Sequence, residues 1–232
     1  MAVPPVLATS YSLFIVGISA MAASYSYWKN KLLNFKMAVL FGLPSVVGIL
    51  ISRKLLFPAI PKELFAIGKF MVTKDFGIMM LLASLMIPAA TKMIQKTPPA
   101  KASDVDGSKK PSSIIPLMGL VVGLIAGLVG VGGGFLIIPV LVVVAGQPMK
   151  SAIGTSLFII AVNSLIGFSG DLTNHVPIDW HFLFIFSSFA LAGIFVGTYL
   201  SKFISGQKLK PIFGWVVMLV GIYIIADKLF HS

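Results

Sequence analysis

Residues 127–141 read GLVGVGGGFLIIPVL. Apolar side chains stand on both sides, yet Gly132, Gly133 and Gly134 follow one another in the middle. A glycine inside a helix costs about 1 kcal/mol relative to alanine. Three in a row predict that one apolar helix stops here and another starts. The second piece, 135–146, rises only about 18 Å as a helix, short of the roughly 30 Å of bilayer hydrocarbon. It therefore goes partway or is re-entrant.

The surrounding composition is that of a bilayer protein. The 232 residues are 57% hydrophobic and only 11% charged, with a mean hydropathy of +1.00. A soluble domain carries about a quarter charged residues. Apolar runs fall at 7–27, 34–52, 70–94, 114–131, 135–146, 150–170, 181–204 and 210–230. All but 135–146 are read as long enough to cross. The net charge of +11 does not point to nucleic acid, because the lysines flank apolar runs instead of forming one basic face. The chain has no cysteine, which excludes disulfides and thiolate metal sites. The first apolar run has no basic residue before it and exceeds the length of a signal peptide, so it reads as a first span.

The chain is read as two repeats. VPPVLATSYSLFIVGISA at 3–20 matches QPMKSAIGTSLFIIAVNS at 147–164. A shift of 144 pairs Pro4 with Pro148, Ser12 with Ser156, and Leu13 and Phe14 with Leu157 and Phe158. One residue more pairs Phe35 with Trp180 and Gly48 with Gly193. Internal repeats of this kind set the architecture of many transporters. The expected organisation is a first repeat at 1–96 with three spans, a cytoplasmic linker at 97–113, and a second repeat at 114–232. The second repeat holds the broken helix pair and three further spans. The linker TPPAKASDVDGSKKPSS is Pro-rich and of mixed charge, the composition of a flexible connector.

Charge orients the repeats. The loop 29–36 carries Lys29, Lys31 and Lys36 and no acid, whereas 171–179 carries Asp171 and Asp179 and no lysine. The positive-inside rule puts the first in the cytoplasm and the second outside. Lys202, Lys208 and Lys210 put 201–210 inside, and five lysines do the same for 92–113. Residues 114 and 150 then both start inside, so the segment between them enters and returns. The loop 53–69, placed outside, runs against the pattern with Arg53, Lys54, Lys62 and Lys69. The fold class expected is an all-α polytopic transmembrane bundle with inverted repeats and a glycine-broken re-entrant helix.

The break has a chemical use. Irregular backbone at membrane depth survives only within protein or beside a watery cavity. A helix starting near Phe135 presents free N–H groups at its positive end, and Gly132, Gly133 and Gly134 permit close approach. This is an anion site without a buried lysine. Gly119, Gly123 and Gly127, by contrast, are spaced to pack two helices together. Thr155, Ser156 and Asn163 lie on nearly one face of the following helix, and Thr9, Ser10 and Ser12 are their first-repeat counterparts. Such hydroxyls either donate to a substrate oxyanion or bond back to their own helix. The candidate substrate-binding residues are Gly132, Gly133, Gly134, Phe135, Thr155, Ser156, Asn163, Ser10 and Ser12. Lys150 either draws anions from the cytoplasm or anchors the helix end.

Enzyme chemistry is not expected, and neither is a cofactor or a metal. His175, Asp179 and His181 share one loop, read as a solvated turn capping the next helix. Acids of the kind that relay protons are not seen within the spans.

Residues 123–167, GLIAGLVGVGGGFLIIPVLVVVAGQPMKSAIGTSLFIIAVNSLIG, resemble the TauE/SafE sulfite exporter family of membrane permeases. They show the glycine-rich break, a following proline and an A-x-G-T-S helix start. The likeness extends into ATSYSLFIVG and FGLPS (41–45) of the first repeat. The resemblance implies a transporter of sulfite, sulfonates or related organosulfur anions. It places the protein in the cell membrane as a multi-pass protein, the inner membrane in a bacterium. Its partners would be a small anionic substrate and the lipid bilayer, with a homo-oligomer open and no nucleic acid. The family has a glycine break in each half. Here Met1 stands just ahead of Pro4, so the chain reads as an N-terminally truncated member. The rival readings are a non-transporting membrane scaffold or inactive fragment, and a passive anion channel.

Overall fold

The computed structural model describes residues 5–56, 59–60, 63–67, 70–95, 114–129, 134–173, 178–201 and 203–230. Its helices are α1 (Pro5–Lys29), α2 (Phe35–Ile51), α3 (Lys74–Ile94), α4 (Ile114–Val129), α5 (Gly134–Val143), α6 (Met149–Thr173), α7 (Trp180–Ser201) and α8 (Gly206–Phe230). The linker 97–113 lies outside the described residues. The protein is a helical bundle, as expected, and among the described residues six helices are long and apolar enough to cross a membrane. In hydrocarbon a helix satisfies its own backbone, and that is why long apolar runs become helices.

Two details between α2 and α3 differ from the sequence reading. α2 continues as a π-helical stretch, Ser52–Leu56, in a region read as loop. Beyond it, β1 (Glu63–Ile67) and β2 (Phe70–Thr73) form an antiparallel pair with Ile67 opposite Phe70. The span read as 70–94 thus begins as a strand and turns helical at Lys74. α6 also reaches Thr173, so Asp171 belongs to a helix and not to the loop after it.

The turn between α1 and α2 is a Schellman cap. Lys31, at φ 56°, takes the left-handed place usually held by glycine. Its N–H bonds Trp28 O and that of Leu32 bonds Tyr27 O, both at 2.9 Å. Asn34 then caps α2 by accepting from Met37 N at 3.1 Å.

Three tight helix pairs build the bundle. α1 lies antiparallel to α6: the Phe14 ring lies 4.9 Å from that of Phe168 at a tilt of 54°, Gly17 faces Leu165, and Tyr27 faces Gly154. α2 lies against α4 backbone to backbone. A Cβ on Gly119 would strike the Phe41 carbonyl, one on Gly123 the Ser45 carbonyl, and one on Gly127 would sit 2.6 Å from Ser52 Cβ. This is the packing ridge that the spacing predicted. α3 pairs with α8, where Gly214 and Gly221 face 83–94.

α5 fills the middle. Leu136, Ile137, Leu141 and Val142 are buried in a core shared with Phe41 of α2, Met86 and Met93 of α3, and Ile159 of α6. A second cluster of Tyr11, Leu13, Phe168 and Leu183 closes one end of the α1/α6 pair. α4 and α5 rise only about 24 Å and 15 Å, so neither matches the full spans around them.

The repeat shifts map contacts onto contacts. Asp179 N–H donates to Tyr11 Oη at 2.9 Å. The same shifts carry Tyr11 to Thr155 and Asn34 to Asp179, and Asn34 N–H donates to Thr155 Oγ1 at 3.2 Å. Likewise Phe14 meets the edge of Trp180 at 6.4 Å, and its counterpart Phe158 meets Phe35 at 5.2 Å.

Candidate functional site

α4 is described to Val129 and α5 from Gly134, with Phe135 as its second residue. Gly132 and Gly133 lie outside the described residues. The first N–H groups of α5 have no partner within their own helix. Gly134 begins a short helix whose Leu136, Ile137, Leu141 and Val142 are buried in the core shared with α3 and α6.

α6 passes beside this helix and carries the polar candidates. Thr155 is fully buried, and its hydroxyl oxygen accepts the Asn34 N–H. Ser156 is equally buried but donates to Ile153 O at 2.9 Å, its own helix. Ser19, Ser45, Ser84 and Thr91 bond back in the same way. For Ser156 this is the back-bonding alternative, and its proton is already committed.

Asn163 is buried two turns further along α6. Its Nδ2 donates to Ser45 Oγ of α2 at 3.2 Å, and its Oδ1 has no partner. The structure thus brings Asn163 to Ser45, not to Thr155, which lies about 12 Å away along the axis. Of the first-repeat candidates, Ser10 is fully buried and Ser12 is exposed. Ser12 and Ser156 match in the repeat yet differ in burial.

Three positions went unread in the sequence. Ser45 receives the Asn163 amide and abuts Gly123. Ser52 and Ser164 are fully buried with unpartnered hydroxyls. Ser52 packs on Gly127, on the last turn of α4 before the glycines. Each such atom costs about 1–3 kcal/mol when left dry. A serine's value here depends on which helix it meets, and its local sequence carries no such signal.

The loop read as a solvated cap behaves as one at its described end. Asp179 Oδ1 accepts from His181 N at 3.0 Å and Phe182 N at 3.1 Å. His175 lies outside the described residues. Among the described residues no three His, Cys, Asp or Glu side chains gather as a metal site.

Residues 1–224 match the family model described as sulfite exporter TauE/SafE. A probable membrane transporter protein of Bacillus subtilis, YunE, is 28% identical over 238 residues, covering 98% of this chain and 84% of that protein. A probable membrane transporter protein of Xylella fastidiosa is 26% identical over 244 residues, covering 95% and 86%. One from Methanocaldococcus jannaschii is 31% identical over 166 residues, covering 72% and 56%. No solved structure matches the chain.

Proposed function

The chain belongs to the sulfite exporter TauE/SafE family of membrane proteins, and on that premise we propose that it moves small oxyanions across the cell membrane: sulfite, sulfonates or related organosulfur anions. The general reading, a multi-pass membrane transporter, agrees with the six candidate spans and with the names of the relatives. The observation that carries the finer reading is the broken helix. Helices of 16 and 10 residues flank the glycines inside a bundle of full-length spans. An anion meeting the start of α5 finds N–H donors and the positive end of a helix dipole, with no side chain at Gly134 to bar it.

The two repeats act as inverted halves in this reading. The antiparallel packing of equivalent helices α1 and α6 supports it, as do the exchanged contacts Asp179–Tyr11 and Asn34–Thr155. Such halves favour alternating access about a central site. The helix start and the Asn163 region divide the work. α5 supplies donors to the anion, while the free Asn163 Oδ1 is an acceptor and faces a donor group of the cargo or a water.

Reconstitution into proteoliposomes tests this. The protein should take up radiolabelled sulfite or a sulfonate in preference to chloride. Gly134→Leu should abolish uptake while the protein still inserts and elutes as the native species. Undiminished uptake by Gly134→Leu would leave the glycines as packing alone.

A further inference from the structure

A second polar feature lies at the other end of α6 from Asp171. A cleft of about 200 Å³ is lined by Ser26, Tyr27, Asn30 and Leu32 of α1 and its turn, Lys150 of α6, Thr198 and Ser201 of α7, and Leu209 of α8. Lys150 is the one charged group in that lining, and no acid faces it there. The lysine side chain runs beside α8, where a Cβ on Gly206 would sit 3.5 Å from its Cγ.

The donors of this cleft divide into spent and unspent. Asn30 Nδ2 donates to Ser26 O at 2.7 Å, and Ser201 Oγ to Thr198 O at 2.8 Å. The Lys150 ammonium and the hydroxyls of Ser26, Tyr27 and Thr198 donate to nothing among the described residues. An ammonium has three donors and no acceptor. Four donor groups from three helices around one positive charge match a small oxyanion. Water takes about 30 Å³ per molecule, so the cleft admits a sulfate-sized ion with a few waters.

We propose that this cleft is a second binding site, for a tetrahedral oxyanion, held by Lys150 with the Ser26, Tyr27 and Thr198 hydroxyls and separate from the glycine break. It rests on the proposed anion transport for its role as a waiting place, but not for its chemistry. The positive-inside rule puts this end in the cytoplasm, since Lys29, Lys31, Lys208 and Lys210 surround it in sequence. The site also adjoins a repeat-related contact: Tyr27 packs on Gly154, and the next residue, Thr155, accepts the Asn34 N–H that ties the α1–α2 turn to α6. An anion bound at Lys150 sits beside that tie, on the path from the cytoplasm toward the interior of α6. The oxyanion comes either from solution or from the phosphate of an anionic lipid.

The test measures binding to the purified full chain in detergent, with inorganic sulfate as probe in calorimetry and phosphatidylglycerol as probe in native mass spectrometry. Lys150→Gln should weaken one of the two by about tenfold, the loss of a charge-assisted bond. Lys150→Arg should restore most of it. The pair Ser26→Ala and Thr198→Val keeps the charge that orients the helix and should weaken the same probe less. Loss of sulfate assigns the soluble ion, and loss of the lipid alone assigns the headgroup. Gly134→Leu should leave this binding intact while abolishing uptake, so the two sites fail separately. The proposal is overturned if Lys150→Gln binds both probes like the parent, or if the parent binds neither.

Discussion

Helices α2 and α7 begin at Phe35 and Trp180, which a sequence shift of 145 pairs, yet they meet different surroundings. α2 is enclosed by α4, and about a third of its span is buried, 33% against 11% for α7. The matched glycines show the difference at one atom. A Cβ on Gly48 would lie 2.5 Å from Leu120 O and 2.8 Å from Leu124 N, whereas one on Gly193 would meet nothing within 4 Å. α7 instead presents Phe184, Phe189, Phe195 and Tyr199 outward. A smaller difference separates α6 from α1, at single positions: Ser156 is fully buried and its match Ser12 is exposed. The paired positions thus share helix and cap but not neighbours, and α4 is what encloses α2. A side chain's environment follows from its neighbours, not from its place in the repeat.

The largest expected effect tests that contrast directly. Gly48→Leu should destroy the α2/α4 contact, because the colliding atoms are backbone and cannot rotate away. Overpacking costs typically 1–3 kcal/mol where side chains can yield, and more is expected here. Gly193→Leu should cost nothing and gain up to about 1 kcal/mol of helix propensity. Thermal unfolding of the detergent-solubilised protein, followed by tryptophan fluorescence, compares the two. Equal damage from both would mean that a further helix covers α7 in the assembled protein. Gly123→Leu should behave like Gly48→Leu, since it faces the Ser45 carbonyl from the other side.

Much of this was legible before the structure. The glycine run reads as a break between two helices, the second starting near Phe135, and α4 (Ile114–Val129) and α5 (Gly134–Val143) are two helices. Gly119, Gly123 and Gly127 announced a close helix contact through their spacing of four. What could not be read was the partner. Asn163 finds Ser45, 118 residues away, and no local pattern encodes that meeting. Nor did Lys31 look like a left-handed cap, since glycine is the usual signal and the two bonds around it exist only once the turn is made. Ser156 was legible in type and ambiguous in use; its bond to Ile153 O is a choice between two partners equally open to a serine in a helix.

A middle-sized effect concerns the caps, where the two copies should agree. Asn34 and Asp179 each accept from the first turn of the helix that follows, α2 and α7 respectively. Alanine at either position should cost about 1 kcal/mol. The cost should be similar on both sides, because the lost bond is local and does not sense α4. Guided by the same fluorescence melt, a much larger loss at Asn34 would show that the packing of α2 depends on its cap.

The smallest effect isolates the exchanged bonds themselves. Tyr11→Phe removes the hydroxyl that accepts the Asp179 N–H, and Thr155→Val removes the one that accepts the Asn34 N–H. Each change keeps nearly all of the side chain's volume, so packing should survive. Each orphans one backbone donor, and a typical bond of this kind contributes about 0.5–1.5 kcal/mol. The two donor residues, Asn34 and Asp179, are both exposed, and both acceptors, Thr155 and Tyr11, are buried. Water can reach either freed N–H, so Thr155→Val and Tyr11→Phe should cost about the same, toward the lower end of the range. Amide hydrogen exchange at Asn34 and Asp179 reads the two bonds separately. Faster exchange at Asn34 in Thr155→Val, with Asp179 unchanged, is the expected result. Simultaneous acceleration at both positions would show that the two bonds open together, and the halves would then be coupled rather than independent copies.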